Sequence, residues 1–334
     1  MAVRLRDVAE RAGVSIRTAS NVVNDYEHVR PETRARVQAA IDELGYRPNL
    51  SAKQLKYGRS GFLALAIPQI DSPYFAELAQ KFTAAAAERG WIAIMDVTGG
   101  TAEQERIVLS GMQSHMVDGL LFSPLAVKAE DFAHRRDTTP LVLLGERAVP
   151  EGYDHVAVDS VAASRTMVEH LLGLGRRRIA AIGYEAFDGT ASVRVQGYRE
   201  ALAAAGVPFD PALTVGVAAY AREEGRRAME QLLALPEPPD AVFCFNDLMA
   251  IGALQACRVA GVRVPDDVAV AGFDDISEAE FTEPPLTTIA PDLDALARES
   301  MRLLLGRIDG TRSGETAEDV EIPWRLVVRG STVR

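Results

Sequence analysis

Residues 5–24 read LRDVAERAGVSIRTASNVVN, and this stretch decides the fold of the first fifty residues. Leu5, Val8, Ala9 and Ala12 fall at helical spacing, so LRDVAERA predicts a short helix with one apolar face. Gly13 can take the left-handed backbone that ends a helix, Val14 can tuck into the turn, and Ser15 is a good N-cap for a second helix. That second helix, IRTASNVVN, turns Ala19, Val22 and Val23 inward and Arg17, Ser20, Asn21 and Asn24 outward. A third helix is predicted from about Pro31 to Leu44, with proline in its first turn and Gly45 after its end. Three short helices with a tight turn between the first two form a helix-turn-helix pattern. In that pattern the second helix enters the DNA major groove by its N-terminal end, which here carries Ile16 and Arg17.

Charge along the chain agrees. Residues 1–60 hold 11 Lys+Arg against 7 Asp+Glu and the rest 25 against 40, which splits the net −11 into +4 and −15. A basic head on an acidic body directs a polyanion to the head alone. At 334 residues the chain is long for one core, and 48% hydrophobic with 25% charged residues excludes wholesale disorder. Cys244 and Cys257 sit in apolar surroundings, so a disulfide framework is excluded and a reducing compartment fits. No apolar run approaches the ~18–20 residues that span a bilayer. MAVRLRDVAE puts Arg4, Arg6 and Asp7 where a signal peptide needs its apolar segment, so a cytoplasmic location without a membrane partner is expected.

Beyond the head, NLSAKQLKY at 49–57 opens on Asn49 as an N-cap and is nine residues long. That is below the ~12–15 residues a lone helix needs, so it should order only when something packs on it. From Phe62, the runs FLALAI, WIAIMDV, GLLFS, LVLLGE, HVAVD, RIAAIG, AVFCFN and VAVAGFD read as buried parallel strands. Helical stretches such as FAELAQKFTAAAAERG and RTMVEHLLGLG lie between them. This alternation predicts a doubly wound α/β body, in two lobes because the strands are too many for one sheet. A ligand would sit between the lobes at the C-terminal ends of strands. The strand ends carry Glu146, Asn246-Asp247, Asp274-Asp275, Ser123 and Asp71–Phe75, while Arg194 starts a helix in SVRVQGY. Strand-end Asn and Asp cap helices as readily as they hold ligands, Asp275 reads as structural, and Arg194 and Asp274 can pair with each other.

Enzyme chemistry finds no support. G-x-x-x-x-G-K-[ST], G-x-S-x-G and a strand-following G-x-G-x-x-G are all missing from the sequence. Histidines 28, 115, 134, 155 and 170 show no metal-ligand spacing, so neither a metal nor a cofactor is expected.

Taken together, LRDVAERAGVSIRTASNVVN, HVRPETRARVQAAIDELGYRPN, SAKQLKYGRSGFLALAIP, NDLMAIG, GFDD and PPLTTI resemble LacI/GalR-type bacterial transcription regulators over essentially the whole chain. The resemblance implies an N-terminal all-α helix-turn-helix head at 1–48 and a hinge helix or linker at 49–60. The α/β two-lobed periplasmic-binding-protein-like (type I) core would occupy 61–334. Lobe 1 would take 61–159 and 291–319, lobe 2 160–290 and 320–334. By resemblance Ile16, Arg17 and Asn21 read base edges, while Ser15, Thr18, Ser20, Asn24 and His28 set the DNA backbone. Ala52 and Leu55 meet the minor groove, Leu55 as a wedge between base steps. Arg194, Asn246 and Asp274 match residues that grip ligand hydroxyls, and Ser123 joins them. Glu146 stands where many members carry an aspartate, within the variant Gly145-Glu146-Arg147. Tyr74, Phe75, Tyr220 and Leu293 match apolar or aromatic walls. Two departures stand out: Ala19 replaces a β-branched core residue, and Asn21 stands where the lactose repressor has an arginine.

The implied partners are a roughly palindromic double-stranded operator, a second copy of the chain and a small-molecule effector that switches operator affinity, commonly a carbohydrate. A phosphoprotein corepressor in place of that effector, or a transport-type sugar-binding role, are the alternatives; the latter would not use the basic head. Since the sequence closes on WRLVVRGSTVR, without room for a coiled-coil extension, a dimer is expected rather than a tetramer.

Overall fold

The structure is a computed structural model that describes residues 3–23, 26–46, 59–111, 116–146, 150–184 and 189–333. It divides into two compact units, Met1–Gly61 and Phe62–Arg334. The first contains α1 (Leu5–Ala12), α2 (Ile16–Val23) and α3 (Pro31–Leu44). Gly13 takes φ 62°, which lets Val14 N–H return to the Ala9 carbonyl at 3.0 Å and closes α1. Ser15 then caps α2, its Oγ accepting from Thr18 N–H at 3.1 Å. A small core of Val8, Ala9, Ala12, Ala19, Val22, Val37 and Ala40 holds the three helices together. Ala19 is fully buried there, so the helices meet closely enough to fill its site without a larger side chain. Arg11 and Glu43 join α1 to α3 at 2.7 Å on the surface.

The second unit is α/β with two parallel sheets. Its strands are β1 (Phe62–Ile67), β2 (Ile92–Val97), β3 (Gly119–Phe122), β4 (Leu141–Leu144), β5 (Asp154–Val158), β6 (Ile179–Ile182), β7 (Thr214–Val215), β8 (Ala241–Cys244), β9 (Ala269–Ala271), β10 (Thr288–Pro291), β11 (Asp319–Ile322) and β12 (Trp324–Val327). The helices are α4 (Pro73–Ala87), α5 (Ala102–Leu109), α6 (Ala129–Ala133), α7 (Ser160–Gly173), α8 (Thr190–Ala204), α9 (Arg222–Leu233), α10 (Asp247–Ala260) and α11 (Leu293–Ile308). One sheet runs β11-β5-β4-β3-β1-β2 and the other β7-β6-β8-β9, all parallel, while β10 and β12 pair antiparallel. Each sheet has its own core, one including Leu63, Leu65, Leu121 and Leu144, the other Ile179, Val242, Phe243 and Tyr198. The chain therefore passes between lobes after β5, after β10 and between β11 and β12.

Two expectations need correction. The third crossing was expected at 319–320, but β11 runs on in the first lobe in register with β5, Asp319 opposite His155 and Ile322 opposite Val158. Ile322 is 3% exposed in that lobe's core, so its burial keeps the strand there until Pro323. Secondly, β2 is not a buried strand. It is the sheet edge, with Ile92 57% and Val97 46% exposed.

Candidate functional site

The turns after β1, β2, β3 and β4 in the first lobe face α8, Asn246 and Asp274 in the second, across a cleft of about 360 Å³. It lies at the C-terminal ends of both parallel sheets, where main-chain groups and helix starts converge. Arg194 of α8 is its centre. Its Nη2 donates to Glu146 Oε1 at 2.9 Å, its Nη1 donates to the Phe245 carbonyl, and Asp274 Oδ1 lies 4.0 Å away. Its guanidinium also stacks on the Phe273 ring with Cζ 3.6 Å from the centroid. Burial works against the Arg194 charge, but Glu146 and Asp274 hold its pKa above the usual arginine value. Ser160, the first residue of α7, donates to the same Glu146 oxygen. Glu146 thus ties β4 of one lobe to α7 and α8 of the other.

Asp274 is held in an uncommon conformation, φ 116°, which a non-glycine residue rarely adopts. Its N–H donates to the Ile289 carbonyl at 2.9 Å. Below it the buried Asp247 carboxyl accepts from Ile276 N–H at 2.9 Å and Thr288 Oγ1 at 2.6 Å, which fixes the turn from beneath. Burial pushes the Asp274 carboxyl up to about 7, with Arg194 opposing the shift and Glu146 adding to it. Burial, with Asp274 second, also drives Asp247 well above the carboxylate range. Tyr74 is raised by burial and by both cleft carboxylates, so its hydroxyl stays protonated and can donate.

Of the effector residues expected from sequence, Tyr74, Phe75, Ser123, Glu146, Arg194, Tyr220, Asn246 and Asp274 all line this cleft. Leu293 does not. As the first residue of α11 it turns into the first lobe's core, 7% exposed, and borders a separate depression with Asp292 and Trp324. Leu296, three residues on and so on the same helix face, lines the cleft instead. Asn246 also caps α10, its Oδ1 accepting from Met249 N–H at 2.9 Å while Nδ2 donates to the Tyr220 carbonyl at 3.3 Å. Asp275 is paired to Arg329 at 2.8 Å, a structural use. Sequence reasoning passed over Gln69, Gly99, Gly100, Leu125 and Thr190, which also line the cleft. Gln69, the two glycines and Leu125 come after strands β1, β2 and β3, so the same strand-end rule could have located them.

In the head, Ile16 and Arg17 are exposed at the start of α2 and Thr18, Ser20 and Asn21 are half-buried along it. Ile16, 52% exposed, is an apolar side chain left outside a core with room for few others. Ser15 faces out beside them, and His28 in the loop after α2 is exposed against Tyr26, ring centroids 5.5 Å apart. Asn24, Ala52 and Leu55 lie outside the described residues.

Residues 4–49 match the model of the lacI family of bacterial regulatory proteins, and 168–332 match a periplasmic binding protein-like domain. The HTH-type transcriptional repressor CytR of Escherichia coli is 34% identical over 99% of this chain and 96% of its own length. The chain belongs to the LacI family. Two solved structures of transcription regulators support the same placement. The CelR–cellobiose complex is 33% identical over 98% of this chain and 99% of its own, with TM-score 0.73. The Lac repressor dimer bound to operator and the anti-inducer ONPF is 28% identical over the full length of both chains, with TM-score 0.87. As a LacI-family member the protein is a DNA-binding transcription regulator with a ligand-binding core rather than an enzyme. No helix among the described residues is long and apolar enough to cross a membrane.

Proposed function

We propose that the protein is a cytoplasmic repressor that binds a two-fold-symmetric operator as a homodimer. A small neutral carbohydrate entering the cleft would change its operator affinity. The cleft chemistry carries this reading. Arg194 is the only cation among the described residues that line the cleft, and it is committed to Glu146, the Phe245 carbonyl and the Phe273 ring. Two buried carboxyls against one engaged guanidinium disfavour an anionic ligand. Glu146 Oε2 and Arg194 Nε are both buried without a hydrogen-bond partner, one an acceptor and the other a donor. A hydroxyl-rich ligand meets both needs, because each hydroxyl donates and accepts. Tyr74 and Phe75, edge to face at 5.2 Å, offer ring surface for C–H faces.

For the dimer, support comes from the exposed apolar residues Ile92, Val97, Val259 and Phe281, the last 85% exposed. Ile92 and Val97 stand on β2, the edge strand of the first sheet, and the Lac repressor, 28% identical, is a dimer on its operator. Ligand binding would change the lobe orientation through Glu146 and so the geometry from which the segment around Leu55 engages DNA. Linkage then requires operator to change effector affinity by the same factor.

A thermal-shift screen of D-glucose, D-ribose, cellobiose, their phosphates and cytidine tests the cleft. A ligand at ~100 times its Kd should add ~2.7 kcal/mol of stability. Stabilisation by an unphosphorylated sugar is expected, and strongest stabilisation by a sugar phosphate would overturn the reading. For the head, Arg17→Ala should lower operator affinity by ~1–3 kcal/mol and relax discrimination at one base pair, since arginine pairs bidentately with guanine. Equal weakening on every DNA sequence, read by competition binding, would show that Arg17 meets only phosphate.

A further inference from the structure

The carboxylate of Glu105 on α5 is completely buried. Three consecutive main-chain N–H groups donate to it: Leu125 to Oε1 at 2.7 Å, and Ala126 and Val127 to Oε2 at 2.8 and 2.7 Å. Those amides belong to the turn after β3, whose Ser123, Pro124 and Leu125 form part of the cleft wall. Helix α5 itself starts from the Gly99-Gly100 turn, another part of that wall, where Thr98 Oγ1 accepts from Gly100 N–H at 3.3 Å. The two turns touch. A Cβ on Gly100 would lie 3.3 Å from Leu125 Cδ1, so the bare glycine gives that leucine its seat. Within this turn the side chains divide, with Val127 1% exposed in the core and Leu125 45% exposed at the cleft.

We propose that Glu105 is a positioning residue for the cleft. By gathering the Leu125–Val127 amides it sets Leu125 as a fixed apolar wall against one end of the bound ligand, which makes Leu125 a length-determining residue. This inference rests on reading the cleft as a carbohydrate site. The physical basis is that a carboxylate accepts at both oxygens, whereas a glutamine keeps one acceptor and turns an NH2 donor onto a main-chain N–H. Donor facing donor in a buried site is unfavourable, so the turn should move rather than stay.

The test titrates the full-length wild type, Glu105→Gln, Leu125→Ala and the double variant with D-ribose, D-glucose and cellobiose, monitoring amide exchange of residues 125–127 in parallel. Glu105→Gln should speed exchange at those amides and weaken the best-bound sugar roughly tenfold. Leu125→Ala should shift preference toward the longest sugar, and the double variant should be no weaker than Glu105→Gln alone, because both act through one wall. Unchanged sugar affinity in Glu105→Gln, or fully additive losses in the double variant, would overturn the proposal. If Glu105→Gln does not fold, Leu125→Ala carries the test: unchanged preference among the three sugars overturns it. A wild-type chain that binds none of them would bring down the carbohydrate reading itself, and the two failures differ because there the wild type is silent.

Discussion

Asp274→Asn should make the ligand-free protein more stable at pH 8, while leaving it no more stable than wild type at pH 4. The carboxyl titrates near 7 in the folded protein because burial penalises its charge, with Arg194 only partly compensating. Its ordinary value is 3.8, so between pH 4 and 7 the folded state binds the proton more tightly than the unfolded chain. A raised acid contributes stability that is complete below the unfolded pKa and is lost as pH climbs through the folded one. At pH 8 the ionised group therefore costs several kcal/mol. Asparagine keeps the shape and removes the charge, at the loss of the weak 4.0 Å attraction to Arg194. We expect a net gain of roughly 2–4 kcal/mol at pH 8, which in a body of this size raises the melting temperature by roughly 4–12 °C. The measurement is a set of thermal melts from pH 4 to 8. A wild-type minus variant difference that does not change with pH would show that Asp274 has the same pKa in the folded and unfolded chain. The same variant should lose its response to sugar, since the ionised form is the better acceptor for hydroxyls. Stability and response would then move in opposite directions, as happens where a binding site holds a group in an unfavourable environment.

How far the sequence discloses this arrangement depends on how much signal each segment carries. All eight strands expected from their apolar runs are present, because β-rich stretches such as FLALAI and AVFCF have few other places to go. Strands β7, β10, β11 and β12 escaped notice. Thr214–Val215 is two residues long, Asp319–Ile322 alternates with acids at a sheet edge, and Thr288–Pro291 and Trp324–Val327 are defined only by pairing with each other. Such strands are made by their partners, which a linear reading does not contain. At the cleft, residues with chemistry of their own (Glu146, Arg194, Asn246, Asp274) could be found at strand ends. Gly100 and Leu125 also follow strand ends, so their place is legible by the same rule, but their role is not, because a glycine and a leucine gain it there only from their contact with each other. Leu293 and Leu296 differ by three positions in one helix and both belong to the first lobe's core, and only the packing of α11 decides which of them also borders the cleft.

The largest loss of stability is expected away from the cleft, at Asp154 on β5. Its carboxylate is 1% exposed and accepts from both ends of the Arg307 fork, Nε at 2.7 Å and Nη2 at 2.9 Å. Glu318 N–H adds a third hydrogen bond at 2.9 Å, and Arg312 Nη2 lies 3.6 Å away. Burial pushes this carboxyl upward, but the hydrogen bond from Arg307 and its neighbours outweigh burial and leave the pKa below the ordinary carboxylate value. Arg307 meanwhile donates to the carbonyls of Arg312 and Glu315, so one acid fastens the end of α11 and the chain leading into β11 onto β5. Asp154→Ala would leave Arg307 and Arg312 close together with their shared counter-charge gone. Removing one partner of a buried pair typically costs about 3–5 kcal/mol, far more than the pair contributes relative to apolar residues. Urea unfolding at pH 7 should show a loss of that size in the body. Here the sign is opposite to that at Asp274: a lowered acid contributes above its unfolded pKa of 3.8 and loses that contribution as pH falls, so the deficit should shrink in strong acid. A loss below about 1 kcal/mol would mean that the network resembles an exposed ion pair. β5 and β11 lead directly into two of the three lobe crossings, at Asp159 and Pro323, so in the proposed switch this one carboxylate would anchor the first-lobe side of those crossings. For that reason a partly destabilised Asp154→Asn should blunt the sugar-induced change in operator affinity before it affects operator binding in the absence of sugar. Equal loss of both at matched stability would show that the crossings respond to the cleft independently of this anchor.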